Sequence, residues 1–180
     1  MLRVRPLTPD LWPALEDLFG PRGATDGCWC MYWRIGKEYK KRERSENKRA
    51  FGRIVKHGPP PGLLAFEGEL AVGWCQVTPR ADLPILDQRR VSPRVDDLPV
   101  WSLSCSYVRK GYRRKGIVSA LIAAAVKEAK RAKAPALEAY PYVTRQPVYV
   151  GLLSTFKRAG FEIVARPTPS RAIVRHNLGA

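Results

Sequence analysis

The chain has 180 residues, 45 % of them apolar, and no apolar run reaches the length that crosses a bilayer, so one soluble domain spanning residues 1–180 with a substantial core is expected. Lys+Arg number 32 against 16 Asp+Glu, a net charge of +16 that draws anionic partners, either a phosphate-bearing cofactor or nucleic acid, unless it is only a solvated basic surface. Arg3, Arg5 and Asp10 interrupt any early signal-like run, and Cys28, Cys30, Cys75 and Cys105 lack zinc-ribbon spacing, which points to a reduced, cytoplasmic protein without a metal site.

In chain order, Leu2 to Leu7 alternates like a half-buried strand. Thr8-Pro9-Asp10 opens a helix that presents Leu11, Leu15 and Leu18 on one face and stops at Gly20. The stretch Gly27 to Trp33 is dense in aromatic rings and thiols, and reads either as core under a loop or as the wall of a pocket. Lys37 to His57 reads as a charged helix with an apolar stripe at Ala50, Phe51, Ile54 and Val55. A Gly/Pro stop follows, and Gly62 to Pro79 reads as a hairpin turning at Glu67-Gly68-Glu69. Residues 80–99 are polar and proline-bearing, a long loop of the kind that is mobile or covers a site.

Val100 to Val108 is the clearest strand; serines alternate there with large residues and give it one small, polar face. A helix from Ile117 to about Lys133 buries Val118, Leu121, Ile122, Ala125 and Ala129. Ala136 to Tyr140 returns as a strand, Tyr149 to Phe161 reads as a helix stopped by Gly160, and Glu162 to Ala165 and Ala172 to Arg175 close the chain as two strands.

Between the serine-bearing strand and the next helix lies Arg109-Lys110-Gly111-Tyr112-Arg113-Arg114-Lys115-Gly116. A helix start exposes unpaired N–H groups and the positive end of the peptide dipole, and a glycine there lets backbone approach a phosphate. A P-loop is excluded because Ile117-Val118 stands where Lys-Ser/Thr is required, and no G-x-G-x-x-G follows a strand.

The loop resembles the Arg/Gln-x-x-Gly-x-Gly/Ala signature of the GNAT-type N-acetyltransferases, reading Arg113-Arg114-Lys115-Gly116-Ile117-Val118 with Val118 in place of the last small residue. A second segment, helix–Gly160–Phe161–strand, is similar to the family's Tyr-x-x-x-Gly-Phe, with Phe156 at the tyrosine. The matching features span about residues 60 to 178 and, less specifically, the first 35. The resemblance implies an α/β fold: a mixed, mainly antiparallel twisted sheet with helices on both faces. It implies transfer of acetyl from acetyl-coenzyme A (acetyl-CoA) to a primary amine, on a small molecule or a peptide, by a monomer or homodimer. Arg113, Arg114, Lys115, Gly116, Ile117, Val118 and Ser119 would then grip the pyrophosphate. Tyr107, Val108 and Arg109 would hold the pantetheine arm, with a backbone N–H around Tyr107 and Val108 facing the thioester oxygen.

Side-chain acid and base are less clear. With Phe156 unable to donate a proton, the leaving thiolate is served by Tyr149 or Ser154 on the same helix, by water, or by no acid at all. Glu138 is the best carboxylate for a base, since a half-buried glutamate acts near neutrality, unless it pairs with a surface lysine. Two other readings are kept: a nucleic-acid-associated protein that docks RNA or aminoacyl-tRNA on its basic surface, and a non-catalytic acyl-CoA sensor.

Overall fold

The computed structural model describes residues 2–144 and 149–179. The strands are β1 (Leu2–Pro6), β2 (Gly62–Glu67), β3 (Leu70–Pro79), β4 (Trp101–Val108), β5 (Ala136–Ala139), β6 (Glu162–Thr168) and β7 (Arg171–Asn177). They form one sheet in the order β1-β2-β3-β4-β5-β7-β6. Every neighbouring pair is antiparallel except β4 and β5, which run parallel and therefore need a helical crossover between them.

That crossover is α4 (Ile117–Arg131), which buries Ile117, Leu121, Ile122, Ala125 and Ala129 on one face of the sheet. It lies so close to β3 that a Cβ on Gly73 would come within 2.5 Å of the Ile117 Cγ2, so only glycine serves there. The opposite face is covered by α1 (Trp12–Phe19) and α3 (Arg44–His57), packed around Trp74, Phe51 and Leu15. Strand alternation divides the two layers: Leu63 and Ala65 of β2 join the α4 core, while Leu64 and Phe66 join the other.

Three helices differ from the periodicity. The first helix begins as a 3-10 turn at Pro9–Leu11 and becomes α-helical at Trp12, because Pro13 has no N–H to continue an earlier ladder. The charged helix expected from Lys37 starts at Arg44. Residues Gly36–Lys40 form a 3-10 segment behind a short α2 (Tyr32–Ile35), and a reciprocal capping box between Glu43 and Glu46 sets the start of α3. Asn47, fully buried, fastens this turn by donating to Gly27 O at 3.0 Å and Tyr39 O at 2.8 Å.

The helix expected over 149–161 is shorter, running as α5 (Leu153–Arg158), because Gly151 takes φ +78° ahead of it and Leu152 is extended. The final strands are correspondingly longer than their apolar cores at 162–165 and 172–175.

The long segment 80–99 is anchored rather than free. It carries two 3-10 turns, Arg80–Asp82 and Pro84–Leu86, and buries Leu83 and Leu86 completely. The Arg80 guanidinium holds its fold together, donating to Asp87 at 2.5 Å, Ser92 O at 2.7 Å and the Tyr140 hydroxyl at 2.9 Å. Among the described residues no helix is long and apolar enough to cross a membrane.

Candidate active site

The site is built where β4 leaves β5. Pairing between them stops at Leu103 and Ala139, and one residue later Ser104 forms a bulge against β3, where Gln76 faces Cys105 and Val77 faces Leu103. A bulge adds twist and ends regular pairing, so the C-terminal half of β4 swings clear of β5 and exposes one backbone edge. The freed polar groups are accounted for: Trp33 Nε1 donates to Ser104 O at 3.0 Å, the Ser104 hydroxyl to Gln76 Oε1 at 3.0 Å, and the Ser102 hydroxyl pairs with Tyr140. The serine face of β4 is thus neither wet nor helix-covered at its start; Ser102 and Ser104 are buried and bonded, and only Ser106 reaches the gap.

Backbone direction along this edge separates Tyr107 from Val108. Ser106 N–H points away from β3 and donates to Tyr149 O, whereas Arg109 N–H donates to Val72 O on β3. Strand alternation therefore turns Val108 N–H to the open side and Tyr107 N–H onto β3. The outward donors are Ser106 and Val108, so of the two residues around which the sequence put a donor N–H, Val108 turns it to the open side and Tyr107 does not.

Beyond Val108 the chain bounds a cleft of about 590 Å³. Tyr107, Val108, Arg113, Arg114, Gly116, Ile117, Val118 and Ser119 line it, eight of the ten expected donor-binding residues. Gly116 is the N-cap of α4 at φ +77°, a left-handed conformation that costs other L-residues about 1–2 kcal/mol, and a Cβ there would meet nothing within 4 Å. Among the described residues, no N–H from Arg113 to Ser119 donates to a backbone carbonyl. These free amides, the helix dipole and the arginine side chains make a donor set that fits a polyphosphate.

Two of the ten residues stand apart. Arg109 turns its guanidinium to Ala71 O at 2.8 Å and to Asp17 at 2.5 Å, tying β4 to α1. Lys115 lies over the Tyr112 ring, its Nζ 4.8 Å from the centroid. Thr155 and Arg158 also line the cleft, three residues apart on one face of α5. Arg158, a cation in the last turn of α5, is not singled out by the sequence.

A second cleft, about 360 Å³, opens on the α1 side of β4. Its walls include Cys28, Cys30, Tyr32 and Trp33, while Trp29 between them is core, stacked on Trp12 at 5.8 Å. The aromatic–thiol stretch thus serves as both pocket wall and core, residue by residue. The segment 80–99 contributes Arg89 and Val91, and β7 contributes Arg171. Tyr107 and Tyr149 line both clefts.

The Acetyltransferase (GNAT) family matches residues 26–161. The chain belongs to the GNAT acetyltransferase family. Solved structures share the fold along nearly the whole chain. The PaiA N-acetyltransferase of Thermoplasma acidophilum, in complex with coenzyme A, is 17 % identical with a TM-score of 0.57, over 98 % of this chain and 99 % of that one. An N-acetyltransferase from Staphylococcus aureus is 14 % identical with a TM-score of 0.60, over 99 % of each chain. YncA of Salmonella typhimurium, a putative acetyltransferase with its cofactor acetyl-CoA, is 14 % identical with a TM-score of 0.58, over 98 % and 94 %. No curated protein matches the sequence. The matched family makes the chain an acyltransferase, and the matched region starts well before the residue 60 at which the sequence resemblance becomes specific. These findings lend no support to the nucleic-acid or sensor alternatives.

In this GNAT acetyltransferase Glu138 does not fit the role of base. It is 1 % exposed on β5, lines neither cleft, and accepts two hydrogen bonds from Arg175 at 2.6 and 3.0 Å with Arg80 at 3.5 Å. A carboxylate fixed between two guanidiniums ties β5 to β7. Burial, opposed by Arg80, pushes the neighbouring Tyr140 phenol well up, so it remains a neutral link in this network. Tyr149 comes from the segment ahead of α5 rather than from a helix, stands 42 % exposed, and hydrogen-bonds the Thr25 hydroxyl. Phe156 is buried against Phe161, with ring centroids 5.2 Å apart, and faces core rather than cleft.

Proposed function

We propose that the protein moves an acetyl group from acetyl-CoA to a primary amine bound in the aromatic cleft, with residues 1–180 as one catalytic domain. The observation that carries this reading is the meeting of the two clefts at Tyr107 and Tyr149, beside the exposed edge of β4. The phosphates are taken by the free amides of Arg113 to Ser119 and by Arg113, Arg114 and Arg158. Acetyl-CoA supplies an activated thioester whose C–S bond breaks as the new C–N bond forms. Val108 N–H, and Ser106 N–H once Tyr149 O gives way, face the oxygen on which charge develops.

Tyr149 is the side chain best disposed to return a proton to the departing sulfur, since it lines both clefts and carries a hydroxyl. Among the described residues no carboxylate lines either cleft, so the proton lost by the amine passes to water. Holding two reactants in adjoining clefts is itself the larger part of the acceleration.

The test is thiol release from acetyl-CoA with a panel of amines, amino acids and peptides, together with calorimetry of acetyl-CoA binding. Amine-dependent thiol release that is lost in Gly116→Glu is the expected result. No heat with acetyl-CoA and no competition by free coenzyme A overturns the reading.

A further inference from the structure

The acceptor cleft contains an unpaired buried cation. Arg171, the first residue of β7, is 7 % exposed and lines the cleft wall. Its Nη2 donates to Tyr140 O at 2.6 Å and its guanidinium lies over the Tyr142 ring, 4.4 Å from the centroid. Its Nε is buried with no hydrogen-bond partner, and among the described residues no carboxylate lies within ion-pair distance. The few residues outside that set carry no Asp or Glu side chain.

The other buried arginines are treated differently. Arg80 is balanced by Asp87 and Glu138, and Arg175 by Glu138 and Asp96. A desolvated guanidinium without a counter-ion costs several kcal/mol, and protein interiors rarely keep one without use. Burial drives the Arg171 pKa down; the phenol groups of Tyr142 and Tyr32 oppose this, and the nearby positive charge of Arg89 adds to the depression. Arg89 reaches the same cleft from the segment 80–99, stands over the Tyr32 ring at 5.9 Å, and likewise has no ion-pair partner among the described residues. Two cations therefore face one cleft that has no acidic lining among the described residues, and much of the remaining wall is aromatic, with Phe19, Trp33, Trp74 and Tyr107 beside thiols and Gln76.

We propose that Arg171, assisted by Arg89, binds a carboxylate of the acceptor, so that the amine acetylated belongs to a small amino acid with an apolar or aromatic body. Guanidinium and carboxylate match as a two-point fork, which fixes orientation as well as affinity. The rings receive the apolar part, and a carboxylate held at the β7 wall leaves the amine to point toward Tyr107 and Tyr149. A polycationic acceptor is disfavoured by the same charges. This assignment rests on the transferase reading above.

Two measurements separate the assignment from that reading. The first follows tryptophan fluorescence, since Trp33 and Trp74 line the cleft, during titration with 3-phenylpropionate and with its uncharged amide. The carboxylate is expected to bind at least about tenfold tighter, the energy of one charge-assisted hydrogen bond. Arg171→Met is expected to erase the preference and Arg171→Lys to restore part of it, with acetyl-CoA affinity unchanged in both. Arg89→Met, on an exposed side chain, is expected to reduce the preference even if the Arg171 variants fold poorly. The second measurement compares amino acids with their decarboxylated amines in the thiol-release assay, where Arg171→Met is expected to raise KM for the amino acids with little change in kcat. Equal binding of acid and amide, or no binding of either, overturns the assignment, as does a preference that survives both methionine variants. Acetyl-CoA binding and amine turnover without any carboxylate preference overturn it while leaving the transferase reading intact.

Discussion

Ser106 donates both its backbone N–H, at 2.5 Å, and its hydroxyl, at 3.0 Å, to the carbonyl oxygen of Tyr149. The N–H is one of the two donors that the splayed edge of β4 turns outward, so in the proposed reaction the Tyr149 carbonyl competes with the acyl oxygen for it. Use of both donors by the acyl group then displaces this contact. Ser106→Ala keeps the N–H and removes the second bond, weakening the competitor by about 1 kcal/mol. Initial-rate kinetics are expected to show KM for acetyl-CoA falling by up to about fivefold. A rise in KM would mean that the hydroxyl grips the acyl donor itself.

Glu138 and Arg175 form the buried pair that ties β5 to β7, and Asp96 and Asp87 close the network from the segment 80–99. Breaking a buried pair by removing one partner costs about 3–5 kcal/mol. Glu138→Gln is therefore expected to lower the melting temperature strongly, while kcat of the folded fraction stays within about threefold of wild type. A general base would instead cost about 10²–10⁴ in rate.

The same network gives stability an acid-side dependence. The hydrogen bond from Arg175 holds Asp96 below its ordinary value of 3.8, and for Asp87 the bonds from Arg80 and Arg94 outweigh the upward push of burial. Near and below that value the unfolded chain binds more protons than the native one, so stability rises with pH there. It is fully present above the unfolded value and is lost as pH falls through the depressed native values. Denaturant midpoints measured from pH 6 down to pH 2 are expected to fall below about pH 4. Asp96→Asn is expected to flatten that fall.

Much of this was legible from the residues alone, and the reasons are local. The strand at β4, the α4 crossover and the loop between them announced themselves by alternation, by 3.6-residue periodicity and by glycines at a helix start. The gap beside β4 depends on the bulge at Ser104, where nothing in the alternation of serines signals an extra residue. Glu138 looked like a base because its partners, Arg80 and Arg175, lie far away along the chain. Arg171 gave no signal at all, since in sequence it is one of 32 cations and becomes distinctive only when the fold buries it with no carboxylate in ion-pair distance among the described residues. Val118 was expected in the core but is only half-buried, because the first turn of α4 faces the donor cleft.

Gly116 offers a substitution that separates binding from folding. With no atom within 4 Å of its would-be Cβ, a side chain there meets only the left-handed backbone cost of about 1–2 kcal/mol. Gly116→Ala is expected to lose about that much stability and to bind acetyl-CoA moderately less well. Gly116→Glu adds a carboxylate to the amide cluster at the start of α4. Calorimetry is expected to show acetyl-CoA affinity lowered more than about tenfold beyond the alanine variant, by like-charge repulsion at a phosphate site.

Cys28 and Cys30 in the acceptor cleft, and Cys75 in the core under α4, are poor nucleophiles. Burial, and next to it the charge of Cys30, pushes the Cys28 thiol up to about 11, and burial pushes Cys75 up to about 12. At pH 7 about one Cys28 side chain in ten thousand is thiolate. Iodoacetamide at neutral pH is expected to leave Cys28 and Cys75 unmodified in the folded protein and to label them after denaturation, as peptide mass mapping would show. Labelling of Cys28 in the native state at the rate of an ordinary thiol would contradict its burial and reopen a route through an acetyl-cysteine.

In the proposed reaction, with no carboxylate on either cleft wall among the described residues, the amine gives its proton to solvent before it attacks. The reactive fraction is then set by the acceptor. kcat/KM is expected to rise tenfold per pH unit and to level off at the amine's own pKa, because below it the neutral amine grows by that factor. Two acceptors that differ by two units in amine pKa, but not in the rest of the molecule, should show bends two units apart. An enzymic base would place both bends at one pH, and that result would send the search back to a titrating side chain beside Tyr107 and Tyr149.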